Sequence, residues 1–90
     1  MLQLPADLTH EQAAPAMHAL KAAVALEPGA AVVADASGLK NFDSSALAVL
    51  LACRREAQAA GKTFAVKNLH ERLRRLAGLY GVESLLPASS

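Results

Sequence analysis

The fold of this 90-residue chain is decided by residues 38–55, which read GLKNFDSSALAVLLACRR. A run rich in valine and alanine, AVVAD at residues 31–35, precedes this stretch, and no glycine or proline interrupts the segment that follows until Gly61. The pattern predicts a strand, a loop and a helix in that order. Asp43 or Ser44 is predicted to cap the helix, because the first turn of a helix leaves backbone N–H groups without partners.

Chain length and charge limit the classes of protein to consider. Ninety residues support one small core, so residues 1–90 are predicted to form a single domain. Nine basic and eight acidic side chains give a formal net charge of +1, which provides no long-range field to attract nucleic acid or an anionic membrane. Three aromatic residues offer no stacking platform for unpaired bases. The composition therefore argues against a nucleic-acid partner.

Cys53 is the single cysteine of the chain, so it forms no internal disulfide and no cysteine-based metal site. Its place in an apolar run predicts a packed thiol, and the low cysteine content fits a reducing compartment. No stretch reaches the roughly 18 apolar residues of a membrane span, and the N-terminus lacks a basic region followed by a long apolar core. These features predict a soluble, cytoplasmic protein without a membrane span.

The first third of the chain predicts a short strand and a helix. Residues 2–4 alternate as a strand does, and Pro5 ends that strand because it has no backbone donor. Thr9 and Gln12 have the spacing of a capping box, which predicts a helix that starts at His10. Pro15 removes one hydrogen bond from this helix, so a kinked or two-piece helix ending near Leu26 is expected.

Strands and helices continue to alternate in the remaining sequence. Gly61 is placed to end the second helix in the left-handed conformation, and residues 63–66 are predicted to form a parallel strand. Asn68 and Glu71 repeat the capping-box spacing at the start of a third helix, while residues 87–90 are expected to fray. This third helix is predicted to bury Leu69, Leu73, Leu76, Ala77 and Tyr80. The whole pattern predicts a small α/β layer, with helices packed on a mostly parallel or mixed sheet.

The loop after the strand at residues 31–35 is the candidate site, because sites in such sheets form at the carboxyl ends of strands. It delivers the hydroxyls of Ser44 and Ser45 to a helix start, where backbone donors and the helix dipole favour an anion. A phosphate on Ser44 would be favoured by those donors and opposed by the carboxylate of Asp43. The residues therefore suggest a recognition surface, and helix capping alone remains the alternative.

The sequence resembles a known family at this point. An apolar strand, Asp-x-Ser at residues 35–37, and Asp-Ser-Ser-Ala-Leu-Ala-Val-Leu-Leu at residues 43–51 resemble the STAS domain of anti-sigma factor antagonists and related subunits. AGLYGV at residues 77–82, LLP at residues 85–87 and a proline in the first helix are similar to the MlaB-type STAS subunit of the bacterial Mla phospholipid transporter. The resemblance covers residues 4–87 and implies a STAS-like fold.

The resemblance implies a non-catalytic accessory subunit that binds and supports the ATPase of an Mla-type phospholipid-transport ABC complex. Such a subunit is cytoplasmic and reaches the inner face of the inner membrane through its partner. The alternative that the family offers is an anti-sigma factor antagonist, which is phosphorylated at the position of Ser44 and binds an anti-sigma kinase. The partner-binding residues carried over are Asp43, Ser44 and Ser45, with Leu39, Lys40 and Asn41 flanking them.

Two departures from the family pattern affect this interpretation. Ala46 stands where the family usually has glycine, which disfavours a closely approaching backbone at that point. The chain also begins too late to contain the first strand of the family. One sheet edge is therefore expected to be bare, to be completed by a second copy in a homodimer, or to be missing through a misplaced start codon.

Enzymatic interpretations are weaker. Ser44 beside Asp35 or Asp43 lacks an evident base for nucleophilic catalysis, and neither a Gly-x-Ser-x-Gly elbow nor a phosphate-binding glycine motif is present. The spacing of the three histidines does not form a metal site. The sequence therefore predicts no enzyme activity, no cofactor and no metal. A basic strip of Arg72, Arg74 and Arg75 is interpreted as a solvated helix face or as part of a partner contact.

Overall fold

The valine-rich run forms the central strand of the computed structural model, which describes residues 1–88. Strands and helices alternate around it as the sequence predicts. In chain order they are β1 (Leu2–Gln3), β2 (Asp7–Leu8), α1 (His10–Leu26), β3 (Ala31–Asp35), β4 (Asn41–Phe42), α2 (Ser45–Ala59), β5 (Thr63–Lys67) and α3 (Glu71–Leu79), followed by a 3-10 turn at Glu83–Leu85. The predicted small α/β fold is confirmed.

The main sheet has the order β1-β3-β5, with β3 in the centre. Leu2 lies opposite Ala34 on one side, and Ala31 lies opposite Thr63 on the other. Every strand pair in the described part of the chain is parallel. Because parallel neighbours need a crossover, α1 links β1 to β3 and α2 links β3 to β5. The two crossovers step in the same direction across the sheet, and α1 packs against α2.

A second parallel pair, β2 with β4, was not predicted because each strand is only two residues long. Asp7 lies opposite Asn41, and Leu8 lies opposite Phe42. The carbonyl of Ala6 also accepts hydrogen bonds from the backbone N–H groups of Lys40, at 2.8 Å, and Asn41, at 3.0 Å. These bonds fix the loop after β3 against the chain that leads into α1.

Helix α1 begins as the capping-box spacing predicts. The backbone N–H of Thr9 donates to Oε1 of Gln12 at 3.1 Å. The helix then runs through Pro15 as one element of 17 residues and ends at Leu26 as predicted. Of the kinked and two-piece forms that were expected, the two-piece form is wrong. Proline removes a single donor here, and the buried side chains of Leu20 and Val24 hold the following turns against the core.

Helix α2 places its apolar first half in the core. Leu47, Leu50 and Cys53 are all buried, as is Ala46 at the position where a glycine was expected. Gly61 ends the helix with φ +72°, which confirms its predicted left-handed conformation. This end of the helix therefore matches the prediction from sequence.

The start of α3 differs from the prediction. The cap is His70, whose Nδ1 accepts a hydrogen bond from the backbone N–H of Arg72 at 3.0 Å. Asn68 instead turns the chain after β5 with φ +59°. Within α3, Leu73 and Ala77 are buried as predicted, but Tyr80, just after its last residue, is 61% exposed. The prediction for Tyr80 is wrong because the helix ends one residue earlier, which leaves that ring in the turn outside the packed face.

The chain after α3 returns to the sheet. The backbone N–H of Val66 donates to the carbonyl of Pro87 at 2.9 Å, and Ala88 forms a parallel bridge with Val66. Pro87 and Ala88 therefore do not fray, and the rest of the predicted fraying tail, residues 89–90, lies outside the described residues. None of the helices within residues 1–88 combines the length and the apolar character needed to cross a bilayer.

Candidate functional site

The carboxylate of Asp43 joins the N-termini of two helices. Its Oδ1 accepts a hydrogen bond from the backbone N–H of Ser45 at 2.8 Å, and its Oδ2 accepts one from the backbone N–H of His10 at 3.0 Å. The bond from Ser45, then the bond from His10, hold the pKa of Asp43 below its ordinary value. Of the two capping candidates, Asp43 therefore provides the cap, and the side chain of Ser44 makes no capping hydrogen bond.

The two serine hydroxyls are reachable from solvent to different degrees. Ser44 is exposed and Ser45 is half-buried. Within residues 1–88, the hydroxyl of Ser44 makes no hydrogen bond, so it is available to a partner or to a modifying enzyme. The nearest helix donor, the N–H of Ser45, is already bonded to Asp43, so an added anion would compete with a carboxylate for it.

The loop before α2 presents Lys40 and Asn41 on the surface. Nδ2 of Asn41 donates to Oδ1 of Asp7 at 2.6 Å, which orients the amide along the β2–β4 pair. Leu39 was expected on the same surface, but it is only 5% exposed and belongs to the core. Its N–H donates to the carbonyl of Ala36 at 3.1 Å, and this tight turn directs the apolar side chain inward. Leu39 is therefore unavailable to a partner.

Asp35 is the last residue of β3 and lies opposite Lys67, the last residue of β5. Among the described residues, it forms no hydrogen bond with Ser44 or Ser45. Its Oδ1 accepts hydrogen bonds from the backbone N–H of Ser37 at 3.0 Å and from Nδ2 of Asn68 at 3.2 Å. The bond from the Ser37 backbone, followed by that from Asn68, lowers the pKa of Asp35. Asp35 therefore ends its strand by accepting a hydrogen bond from the loop backbone.

The start of α3 lies beside the loop that precedes α2, a contact that was not predicted from the sequence. The rings of Phe42 and His70 have centroids 5.4 Å apart, and the guanidinium of Arg72 lies 5.0 Å from the centroid of the Phe42 ring. Residues so far apart in sequence give no local signal of this contact. Arg72 is exposed, so its positive charge adds to that of Lys40 on this surface. Arg75 instead forms a salt bridge with Glu71 at 3.0 Å.

The histidine and cysteine side chains that could carry other chemistry lie at helix starts, on the outer face of α1 and in the core. His18 is exposed on the outer face of α1, away from the helix starts where His10 and His70 lie. Residues 1–88 contain no group of three histidine, cysteine or acidic side chains arranged to hold a metal ion. Burial raises the pKa of Cys53 to about 11, so its thiol stays protonated and unreactive near neutral pH.

One comparison with known proteins agrees with this fold. A family model described as "Mlab, STAS domain" matches residues 1–87, which is nearly the whole chain. A search of curated proteins finds no match. The family match includes the loop, the two serines and the three helices described above.

Proposed function

The chain belongs to the MlaB-type STAS domain family, and from this premise we propose that it is a non-catalytic accessory subunit of an Mla-type phospholipid-transport ABC complex. In this role it binds the ATPase and supports its activity. It acts in the cytoplasm, at the inner face of the inner membrane, through that partner. The observation that carries the proposal is the exposed, unbonded hydroxyl of Ser44 at a rigidly fixed helix start.

The rigidity of this surface favours docking. Asp43 bonds the starts of α1 and α2 to each other, and Ala6 bonds the backbone of Lys40 and Asn41. A surface that is already ordered loses little conformational entropy when it binds, so more of the contact energy appears as affinity. The proposed docking surface therefore consists of Lys40, Asn41, Asp43, Ser44 and the exposed part of Ser45. It does not include Leu39, which is buried.

The proposal is tested by copurification with the ATPase. Ser44→Glu places a charge beside the carboxylate of Asp43, and Ser45→Arg places a long side chain at the same helix start. Each variant is expected to abolish copurification while circular dichroism shows an unchanged fold. Ser84→Glu, an exposed serine in the 3-10 turn, is the matched control and should copurify normally. Normal copurification of both site variants would reject the proposed surface.

A second candidate function is a phosphorylatable anti-sigma factor antagonist that binds an anti-sigma kinase through the same residues. The exposed hydroxyl of Ser44 favours it, because a kinase can reach that oxygen. Intact mass of the protein isolated from its native cell, measured with and without phosphatase, separates the two functions. A phosphoryl group that maps to Ser44 supports the antagonist, and its absence together with a captured ABC ATPase supports the transporter subunit.

A homodimer through the sheet edge also stays a prediction. The outer edge of β1 has no strand partner among residues 1–88, so its backbone groups could pair with a second copy. Sedimentation of the isolated chain tests this arrangement, with Gln3→Pro as the variant that removes a backbone donor from the edge. A monomer at all concentrations would exclude the dimer.

A further inference from the structure

A pocket lies beside the later part of α2, away from the docking surface. It has a volume of about 310 Å³ and lies between α2, the start of β5 and the 3-10 turn. Arg54, on its wall, follows Ser45 by nine positions, which is about 13 Å along a helix axis. The pocket is therefore separate from the residues that are proposed to bind the ATPase.

The lining of this pocket is cationic and rich in hydrogen-bond donors. Arg54 and Lys62 contribute two positive charges, and Gln58, Thr63 and Ser84 add an amide and two hydroxyls. None of the lining residues is acidic. The apolar part consists of Phe64 and Pro87. Two cations without an acidic neighbour in the same concave surface attract an anion more strongly than scattered surface charges do.

The two cations have only neutral partners in the described residues. Nη1 of Arg54 donates to Oε1 of Gln58 at 3.4 Å, which is a weak bond, and Nζ of Lys62 donates to the backbone carbonyl of Glu27. No salt bridge within residues 1–88 involves either side chain. Both are partly buried, which reduces the screening of their charge by water.

Two carbonyl groups at the end of α2 are bonded within its own C-terminal turn. The carbonyl of Ala57 accepts from the backbone N–H of Lys62 at 2.8 Å, and the carbonyl of Gln58 accepts from that of Gly61 at 3.0 Å. The negative end of the helix is thus largely bonded by its own C-terminal turn. The positive side chains therefore determine the charge that a ligand meets in the pocket.

From this arrangement we infer that the pocket binds a phosphate group. Arg54 offers a guanidinium for two parallel bonds to phosphate oxygens, and Lys62 offers a point charge. Thr63 and Ser84 can donate to further oxygens of the same group. The volume is near the lower limit of ligand pockets, which suits a phosphate with a small substituent. The phosphate can belong to a free anion or to a lipid headgroup, and the experiment distinguishes these sources.

The test is a titration of the full chain with inorganic phosphate, followed by backbone amide NMR at constant ionic strength. Saturable shifts are expected at Lys62, Thr63 and Ser84. Arg54→Gln and Lys62→Gln should each raise the Kd by roughly tenfold, which is the loss of one charge-assisted bond. Arg55→Gln is the matched control, because Arg55 is exposed on the same helix and does not line the pocket.

A second arm uses vesicles of phosphatidylcholine with and without phosphatidate, which carries an exposed phosphate monoester. Cosedimentation with phosphatidate vesicles that is lost in Arg54→Gln assigns the pocket to a lipid headgroup. Saturation by inorganic phosphate without vesicle binding assigns it to a free anion. Arg54→Gln leaves the bond from Lys62 to Glu27 in place, so it separates ligand loss from loss of folding. No saturable binding in either arm, or equal weakening in Arg55→Gln, would overturn the inference.

Discussion

The carboxylate of Asp43 accepts a hydrogen bond from the backbone N–H of His10, 33 residues earlier in the chain, at 3.0 Å. The same carboxylate caps α2 through Ser45, so one side chain fixes the starts of two helices that pack against each other. Both helix starts carry unpaired N–H groups and a partial positive charge, and a single carboxylate accepts one N–H from each. The geometry of the proposed docking surface therefore depends on a contact between distant parts of the chain.

Replacement of Asp43 should destabilise the domain in a graded order. Asp43→Asn keeps one side-chain acceptor and loses the charge, whereas Asp43→Ala loses both hydrogen bonds, so urea midpoints should decrease from wild type to asparagine to alanine. Glu83→Gln, an exposed acidic residue in the 3-10 turn, is the control for a change of net charge. Equal midpoints for Asp43→Ala and Glu83→Gln would contradict the bridging role.

The stability of the protein should decrease in acid because of two carboxylates. The pKa of Asp35 and of Asp43 lies below the ordinary value of 3.8 in the folded state. Below the unfolded pKa, the unfolded chain binds more protons than the folded chain, so the stabilisation present above 3.8 is lost as the pH falls through the folded pKa. Urea unfolding at a series of pH values should show this decrease, with a smaller slope in Asp43→Asn. A slope unchanged by that substitution would exclude Asp43 as a source.

Truncation of Leu50 should lower the stability far more than truncation of Leu79, although both are leucines in helices. Leu50 is fully buried in α2, so Leu50→Ala should cost about 2 to 5 kcal/mol. Leu79 is 84% exposed at the end of α3, so Leu79→Ala should change stability by less than about 0.5 kcal/mol. Urea denaturation of both variants measures the difference, and a large loss in Leu79→Ala would show that this side chain is covered.

The elements that could be predicted from sequence are those determined by neighbouring residues. Gly61 ends α2, and Thr9 with Gln12 starts α1, because the required chemistry lies within one helical turn. The start of α3 could not be predicted in the same way. Asn68 has the right spacing for a cap, but its amide binds Asp35 across the sheet, and this long-range bond holds it in a turn.

In the candidate site, too, features set by neighbouring residues could be predicted and features set by long-range packing could not. Asp43 and Ser44 were identified because a helix start has a clear local signature, and the structure leaves Ser44 exposed. Leu39 was misplaced because sequence alone does not show which way a loop side chain points. The stacking of Arg72 on Phe42 was missed because it depends on how α3 packs beside β4.

Cys53 should resist thiol reagents in the native protein. Burial raises its pKa to about 11, so roughly one thiol in a thousand is ionised at pH 8, and the side chain is fully buried in the core. Absorbance with a disulfide reagent should show slow reaction in buffer and fast, complete reaction in urea. Fast reaction in buffer at a rate independent of urea would contradict the buried position.

Arg72 should contribute to ATPase binding if the docking surface continues onto α3. Its guanidinium is held 5.0 Å from the Phe42 ring centroid, so the charge is oriented beside the loop before any partner arrives. Arg72→Gln should weaken the affinity for the ATPase by about fivefold, the loss of one exposed charged contact worth about 1 kcal/mol. Arg75→Gln is the matched control, because Arg75 pairs with Glu71 on the same helix. Equal weakening by the two variants would show that general positive charge, rather than the position of Arg72, determines binding.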